Sequence, residues 1–132
     1  MTPPTQTVRA FYAALGRGDA PGALELLHDE LEWTEAEGFP YFSGTWRSPE
    51  AVLKNLLQPL SRDWDAFRAT AENFVVEGDQ VVSFGAYSGV YKATGRAMKA
   101  AFAHRWTVRD GRIAAFAMYA DTAKVLEALA PR

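Results

Sequence analysis

From Phe67 to Tyr119 the chain is written as four alternating runs separated by glycine-bearing turns. This pattern constrains the fold more than any other feature of its 132 residues. Residues 67–77, 80–92, 98–108 and 112–119 carry β-branched and aromatic side chains at period two, as half-buried strands do. Gly78-Asp79 and Arg109-Asp110-Gly111 are hairpin signals, the Asp-Gly step being the stronger, and Ala93-Thr94-Gly95 breaks the second run from the third.

Ahead of these runs the period is helical. Val8, Phe11, Tyr12 and Leu15 recur on one face, with Thr5 or Thr7 as the cap and Gly16 and Gly18 as the stop. Asp19 caps a second helix bearing Ala23, Leu24, Leu26 and Leu27. Leu31-Glu32-Trp33-Thr34-Glu35 alternates as a short strand, which places Leu31, Trp33 and Glu35 on one side. Residues 36–46 are rich in Gly, Pro and aromatics, and a loop of that length in a small domain is expected to form a lid or rim. Ser48-Pro49-Glu50 starts a helix with Val52, Leu53, Leu56, Leu57 and Leu60 on its apolar face. Asp121-Thr122 caps the last helix, which carries Val125, Leu126 and Leu129. The order α-α-β-α-β-β-β-β-α argues for an α+β domain with one antiparallel sheet. With no repeat, low-complexity segment or linker, residues 1–132 are expected to form one domain.

Aromatic residues make up 13% of the chain, enough for a large core or a cavity suited to a ring-bearing ligand. The net charge of −2 does not suit nucleic acid or an anionic membrane, and neither is expected as a partner. The absence of cysteine excludes disulfides, thiolate nucleophiles and zinc–thiolate sites. Met1-Thr2-Pro3-Pro4-Thr5 has no basic or apolar leader character and no run reaches the ~20 apolar residues of a bilayer span, so a cytoplasmic protein is expected. There is no phosphate-binding, dinucleotide-binding or nucleophile-elbow motif. His28 and His104 with scattered acids do not compose a metal site, and no cofactor or metal is expected.

Three stretches carry a family likeness. Residues 11–19, Phe-Tyr-Ala-Ala-Leu-Gly-Arg-Gly-Asp, resemble the first helix and Gly-Asp turn of the NTF2-like superfamily. Residues 28–35 resemble its acid-bearing strand, and residues 104–113 its last hairpin. The branch resembled is that of ketosteroid isomerases and SnoaL-like polyketide cyclases. The resemblance implies a curved antiparallel sheet wrapped around N-terminal helices, a cone with one central pocket. This fold hosts isomerases, cyclases, dehydratases, epoxide hydrolases and non-catalytic binders.

The resemblance also nominates residues. The isomerase base position falls on Glu35, whose other reading is a solvated carboxylate beside Glu37, and the position of the acid that holds the oxyanion falls on His104, whose other reading is a satisfied core histidine. The family's tyrosine position falls on Phe11. Tyr12 lies roughly 100° further around the helix and is not expected to substitute. Asp121 resembles the acid/base aspartate of the polyketide cyclase branch, with helix capping as its other reading, and a pairing of Asp121 with His104 in one cavity is expected. Phe11, Trp33, Phe42, Trp46, Phe102, Trp106 and Tyr119 are expected to contact substrate. Tyr87 and Tyr91 read either as lining of the cone or as sheet packing, with packing favoured. The resulting expectation is an acid/base enzyme of isomerase, cyclase or dehydratase type for a small apolar carbonyl compound, with a non-catalytic ligand-binding or dimerisation domain as the alternative. A homodimer through the convex sheet face is expected, because Ala101, Ala103 and Thr107 leave that face small and weakly charged apart from Arg105.

Overall fold

The computed structural model describes residues 3–131; Met1 and Thr2, which open the segment inspected above for a leader, lie outside them. Helix α1 is Pro4–Gly16, with Pro3 as its N-cap, so neither Thr5 nor Thr7 caps it. Proline suits a first turn because its missing N–H is one the helix leaves unpaired. Thr7 is instead buried and donates to the Gly111 carbonyl at 3.4 Å, tying α1 to a distant hairpin. Asp19 caps α2 (Ala20–Glu25) by accepting from the Gly22 N–H at 2.9 Å. This helix stops earlier than its apolar spacing suggests. Leu27 opens strand β1 (Leu27–Thr34), opposite Ile113, and the Ile113 N–H donates to the Leu26 carbonyl at 2.8 Å. A short helix gains little from one more turn, whereas a ladder to a central strand buries Leu27 and Leu31 to 1% exposure.

The long strands are β3 (Trp64–Glu77), β4 (Gln80–Tyr91), β5 (Arg96–Arg109) and β6 (Arg112–Ala120), joined antiparallel. Asp110 and Gly111 between β5 and β6 have φ of 56° and 72°, the left-handed pair that a two-residue hairpin of matching twist requires. β1 adds to β6 in parallel, and the two-residue β2 (Thr45–Trp46) adds to β1. The order is β2-β1-β6-β5-β4-β3, a curved, unclosed six-stranded sheet. Neither β2 nor the parallel pairing is visible in the alternation of the sequence.

Curvature has local causes. β3 bulges between Asp65 and Arg68 and again between Ala71 and Asn73. Beside the second bulge, β4 has Gly85 on its inner side, where a Cβ would sit on the Thr70 carbonyl oxygen. The glycine lets the edge strand fold in over its neighbour. α1 lies in the resulting hollow, with Phe11 against Trp33 and Trp106 at ring separations of 5.8 and 5.6 Å.

The remaining helical segment runs α3 (Pro49–Val52), a π-turned stretch (Leu53–Leu57) and α4 (Gln58–Asp63). Ser48 caps it, as its sequence suggests, accepting from the Ala51 N–H at 3.2 Å. The widened turn ends with the Gln58 N–H bonded to the Leu53 carbonyl, immediately before Pro59. Proline there removes one helical donor and crowds the carbonyl four residues back, and a wider turn relieves both. α5 (Thr122–Leu129) closes the chain against β5. Among the described residues no helix is long and apolar enough to cross a membrane.

Candidate functional site

The hollow between α1, the π-turned segment and the sheet holds a cavity of about 730 Å³. Phe11, Trp33, Trp106 and Phe116 form its inner wall, and Trp33 stacks on Phe116 at 3.8 Å. Leu56, Leu57 and Leu60 line it together with Phe67, Ala69 and Ala71 of β3. Polar residues interrupt this apolar lining: Tyr12, Glu35, Tyr87 and His104, together with Ser61, Arg68 and Thr70.

Glu35 follows directly on β1. The alternation of that strand carries Leu31, Trp33 and Glu35 to the same buried side, and Glu35 is 4% exposed. Its Oε2 accepts from Trp33 Nε1 at 2.9 Å. Burial pushes its carboxyl up to about 7, the Trp33 hydrogen bond opposing the shift only in part. A group poised there exchanges its proton readily near neutrality.

His104 lies on the inner side of β5, stacked on Phe102 at 3.9 Å and edge-on to Phe116 at 4.8 Å. Its Nδ1 is 2.6 Å from the Tyr12 hydroxyl and its Nε2 is 2.6 Å from the Tyr87 hydroxyl. Burial holds the imidazole well below its usual pKa, so the ring is neutral around pH 7. Burial also raises the pKa of Tyr12 and Tyr87, and the charge of Glu35 adds to the shift at Tyr87.

The structure brings Glu35, His104, Phe11, Trp33 and Trp106 to one cavity. Phe102 backs His104 without lining the space. Asp121 does not join them. It is exposed, and its carboxylate caps α5, accepting from the Lys124 N–H at 3.4 Å. His104 is level with Met118, so Asp121 lies beyond the part of β6 that faces the ring, and the expected pair does not form. Tyr119 is 57% exposed because it follows inward-facing Met118 on a strand of period two. Phe42 stands outside the cavity at 36% exposure, and Trp46 is buried in β2 with its N–H on Ser43 Oγ at 2.8 Å.

Part of the 36–46 stretch does reach the cavity. Phe39 lines it, while Tyr41 donates to Asp63 at 2.8 Å and accepts from Trp64 at 3.1 Å, which pins the loop to the α4–β3 junction.

Sequence reasoning missed Tyr12 and Ser83, and it favoured sheet packing over cavity lining for Tyr87. Phe11 and Tyr12 both face the hollow because α1 is flanked by sheet on more than one side: Phe11 meets Trp33, and Tyr12 meets Phe74 and His104. The available signal was parity, since Ser83, Gly85 and Tyr87 alternate on the strand face that also carries buried Val81. Among the described residues no three His, Asp or Glu side chains stand together as a metal-holding group.

The SnoaL-like domain model matches residues 8–116. An NTF2-like protein of Burkholderia thailandensis is similar at 35% identity, over 99% of this chain and 100% of that one, with a TM-score of 0.94. TerC, co-crystallized with polyporic acid, is 27% identical over 97% of this chain and 98% of its own, with a TM-score of 0.86. IdmH of Streptomyces antibioticus, described as a candidate polyketide cyclase, shares the fold at 22% identity and a TM-score of 0.79, over 97% of this chain and 99% of that one. No protein of curated function matches the chain significantly. With a family match over most of its length and a relative aligned nearly end to end at 35% identity, the chain belongs to the SnoaL-like domain family and has the NTF2-like fold.

Proposed function

We propose that this protein is a cofactor-independent acid/base enzyme of the isomerase, cyclase or dehydratase type, acting on a small, mostly apolar carbonyl compound. The observation that carries the reading is Glu35: a carboxyl in an aromatic cavity, with one hydrogen bond and a pKa of about 7. Such a group takes a proton from carbon next to a carbonyl and returns it elsewhere, with burial supplying the required basicity. Asp121 has no part in this step, being a helix cap. The cavity volume falls within the range of small-molecule sites. The family relation to TerC, crystallized with polyporic acid, and the fold shared with candidate polyketide cyclases support a ligand of this general kind.

Proton abstraction is tested by incubating 1-tetralone with the protein in D2O and following loss of the α-proton signal by NMR. The expected result is exchange above the buffer rate, rising through pH 7 as Glu35 ionises. Glu35→Gln should lose about 100-fold or more of it, and Asp121→Ala should retain it. Wild-type protein that binds tetralone without exchanging it across pH 6–9 would turn the reading to the non-catalytic alternative.

One observation favours a role in self-association alongside either reading. On the outer sheet face Phe84 and Tyr119, 43% and 57% exposed, flank Ala103 in one cross-strand row. An isologous homodimer through this face, burying about 1,200–2,000 Å², would cover them.

A further inference from the structure

Five side chains form one hydrogen-bonded row beside the cavity. Trp106 Nε1–H donates to Ser83 Oγ at 2.9 Å. The Tyr12 hydroxyl lies 2.7 Å from Ser83 Oγ and 2.6 Å from His104 Nδ1, and the Tyr87 hydroxyl lies 2.6 Å from His104 Nε2.

The protons in this row can be counted. His104 is 3% exposed, with no carboxylate against it, so it is neutral and carries one ring proton. Ser83, Tyr12 and Tyr87 contribute one hydroxyl proton each. Four protons therefore serve three links, Ser83–Tyr12, Tyr12–Nδ1 and Nε2–Tyr87, and one proton is surplus. Ser83 cannot hold it. Its residue is 0% exposed, it is not part of the cavity wall, and its hydrogen-bonding neighbours among the described residues are Tyr12 and Trp106. A hydroxyl proton stranded there would cost about 1–3 kcal/mol. Ser83 therefore donates to Tyr12. Tyr12 lines the cavity too, and the alternative is that it accepts from both Ser83 and an Nδ1–H; a hydroxyl that accepts is polarised into a better donor, so Tyr12 directs its own proton at Nδ1, and the ring proton sits on Nε2 and points at the Tyr87 oxygen. The surplus proton is then the Tyr87 hydroxyl proton. Tyr87 lines the cavity that also holds Glu35, an oxygen acceptor whose charge is felt at Tyr87.

We propose that Tyr87 is the cavity's hydrogen-bond donor, oriented by a His104 fixed as its neutral Nε2–H tautomer, and that it meets the acceptor oxygen of a carbonyl or enol ligand. His104 is on this account a positioning residue and not the proton carrier. Each link passes polarity from Trp106 along the row, so the last hydroxyl is left with its proton free for the ligand. The assignment deepens the reading above and rests on it for the identity of the oxygen, although the tautomer does not depend on any reaction. The ligand class becomes narrower: a planar apolar ring system with one acceptor oxygen at the Glu35–Tyr87 end.

The test has two arms. In ¹⁵N-histidine-labelled protein, long-range ¹H–¹⁵N spectra at pH 7 should show His104 as the Nε2–H tautomer; an Nδ1–H tautomer or an imidazolium overturns the proposal. In the second arm, 1-tetralone and its hydrocarbon counterpart tetralin are titrated against the wild type and Tyr87→Phe. The wild type should prefer the ketone by about tenfold, a difference that Tyr87→Phe abolishes while keeping its affinity for tetralin. A preference that is absent in the wild type, or that survives Tyr87→Phe, overturns the donor role. If Tyr87→Phe fails to fold or neither compound binds, the tautomer in the wild type decides alone. Tyr87-dependent ketone binding without deuterium exchange would uphold this inference and defeat the enzymatic reading.

Discussion

The inner and outer faces of β4, β5 and β6 are made from neighbouring residues of the same strands, yet they are built for different things. Along β5, Phe102, His104 and Trp106 point inward at no more than 4% exposure, while the alternating Ala101, Ala103 and Arg105 face out. On β4, Ser83 and Tyr87 point in and Phe84 out; on β6, Met118 points in and Tyr119 out. The inner face is large, aromatic and polar at selected points, and every buried side-chain nitrogen and oxygen among the described residues has a partner. The outer face mixes small side chains with Lys99 and Arg105 and is edged by two exposed rings. Alternation by itself says only that two faces differ. What separates them here is that the inner one is roofed by α1, so its polar groups must satisfy one another, whereas the outer one meets solvent or a second copy.

The largest effect expected from probing this difference comes from enlarging one side chain on each face. Gly85→Ala puts a Cβ on the Thr70 carbonyl, where β3 folds over β4, and should destabilise by about 3–4 kcal/mol in urea denaturation. Ala103→Val on the open face should stay within about 0.5 kcal/mol. Equal losses at the two positions would mean that the faces are not distinguished by packing.

Next comes Glu35, the inner-face acid. Its pKa is about 7 in the folded state against an ordinary value of 4.5, so between those pH values the folded chain holds a proton that the unfolded chain has lost. Stability therefore falls as pH rises from about 4.5 to about 7 and is flat above, a total of about 3 kcal/mol. Glu35→Gln keeps an acceptor for Trp33 Nε1 and removes this penalty. The variant should match the wild type at pH 4.5 and exceed it by up to about 3 kcal/mol at pH 8, measured by denaturation at both values. His104 acts in the opposite sense. Its folded pKa is depressed, so its neutral form supports the fold above pH 6.5 and that support is lost as pH falls below it. Over the acidic part of the range the two slopes oppose each other in the wild type, and Glu35→Gln should expose the His104 slope alone. A difference between variant and wild type that does not change with pH would show Glu35 to be solvated.

The smallest effect on the fold itself belongs to the outer face. Phe84→Arg should change the stability of the monomer by no more than about 0.5 kcal/mol. It should nevertheless convert a dimer into a monomer in light scattering at tens of micromolar. A wild type that is already monomeric at that concentration would remove the homodimer.

Much of this architecture can be read before any coordinates are known. The four long strands, the Asp110-Gly111 hairpin, the Ser48 and Asp19 caps and the shared side of Leu31, Trp33 and Glu35 all follow from period and turn chemistry, which act within a few residues. The same local logic shows Asp121 as a cap, which is how it is used. It fails where distance enters. The end of α2 at Glu25 is decided by the pairing of Leu27 with Ile113, 86 positions away along the chain, a contact that no window of residues contains.

By itself, then, the sequence determined the alternation and the turns, because strand parity and left-handed turn residues are properties of short segments, and its family resemblance nominated Glu35 and His104. Only the tertiary structure decided which polar groups share a site. Tyr12 and His104 are separated by 92 positions, yet α1 drops its tyrosine onto the imidazole at 2.6 Å, while Tyr87 closes on the ring from the neighbouring strand. That meeting depends on the bend of β3 and β4 at Gly85 and on the angle at which α1 crosses the hollow. Both are set by packing the whole core at once, so no stretch of residues carries them.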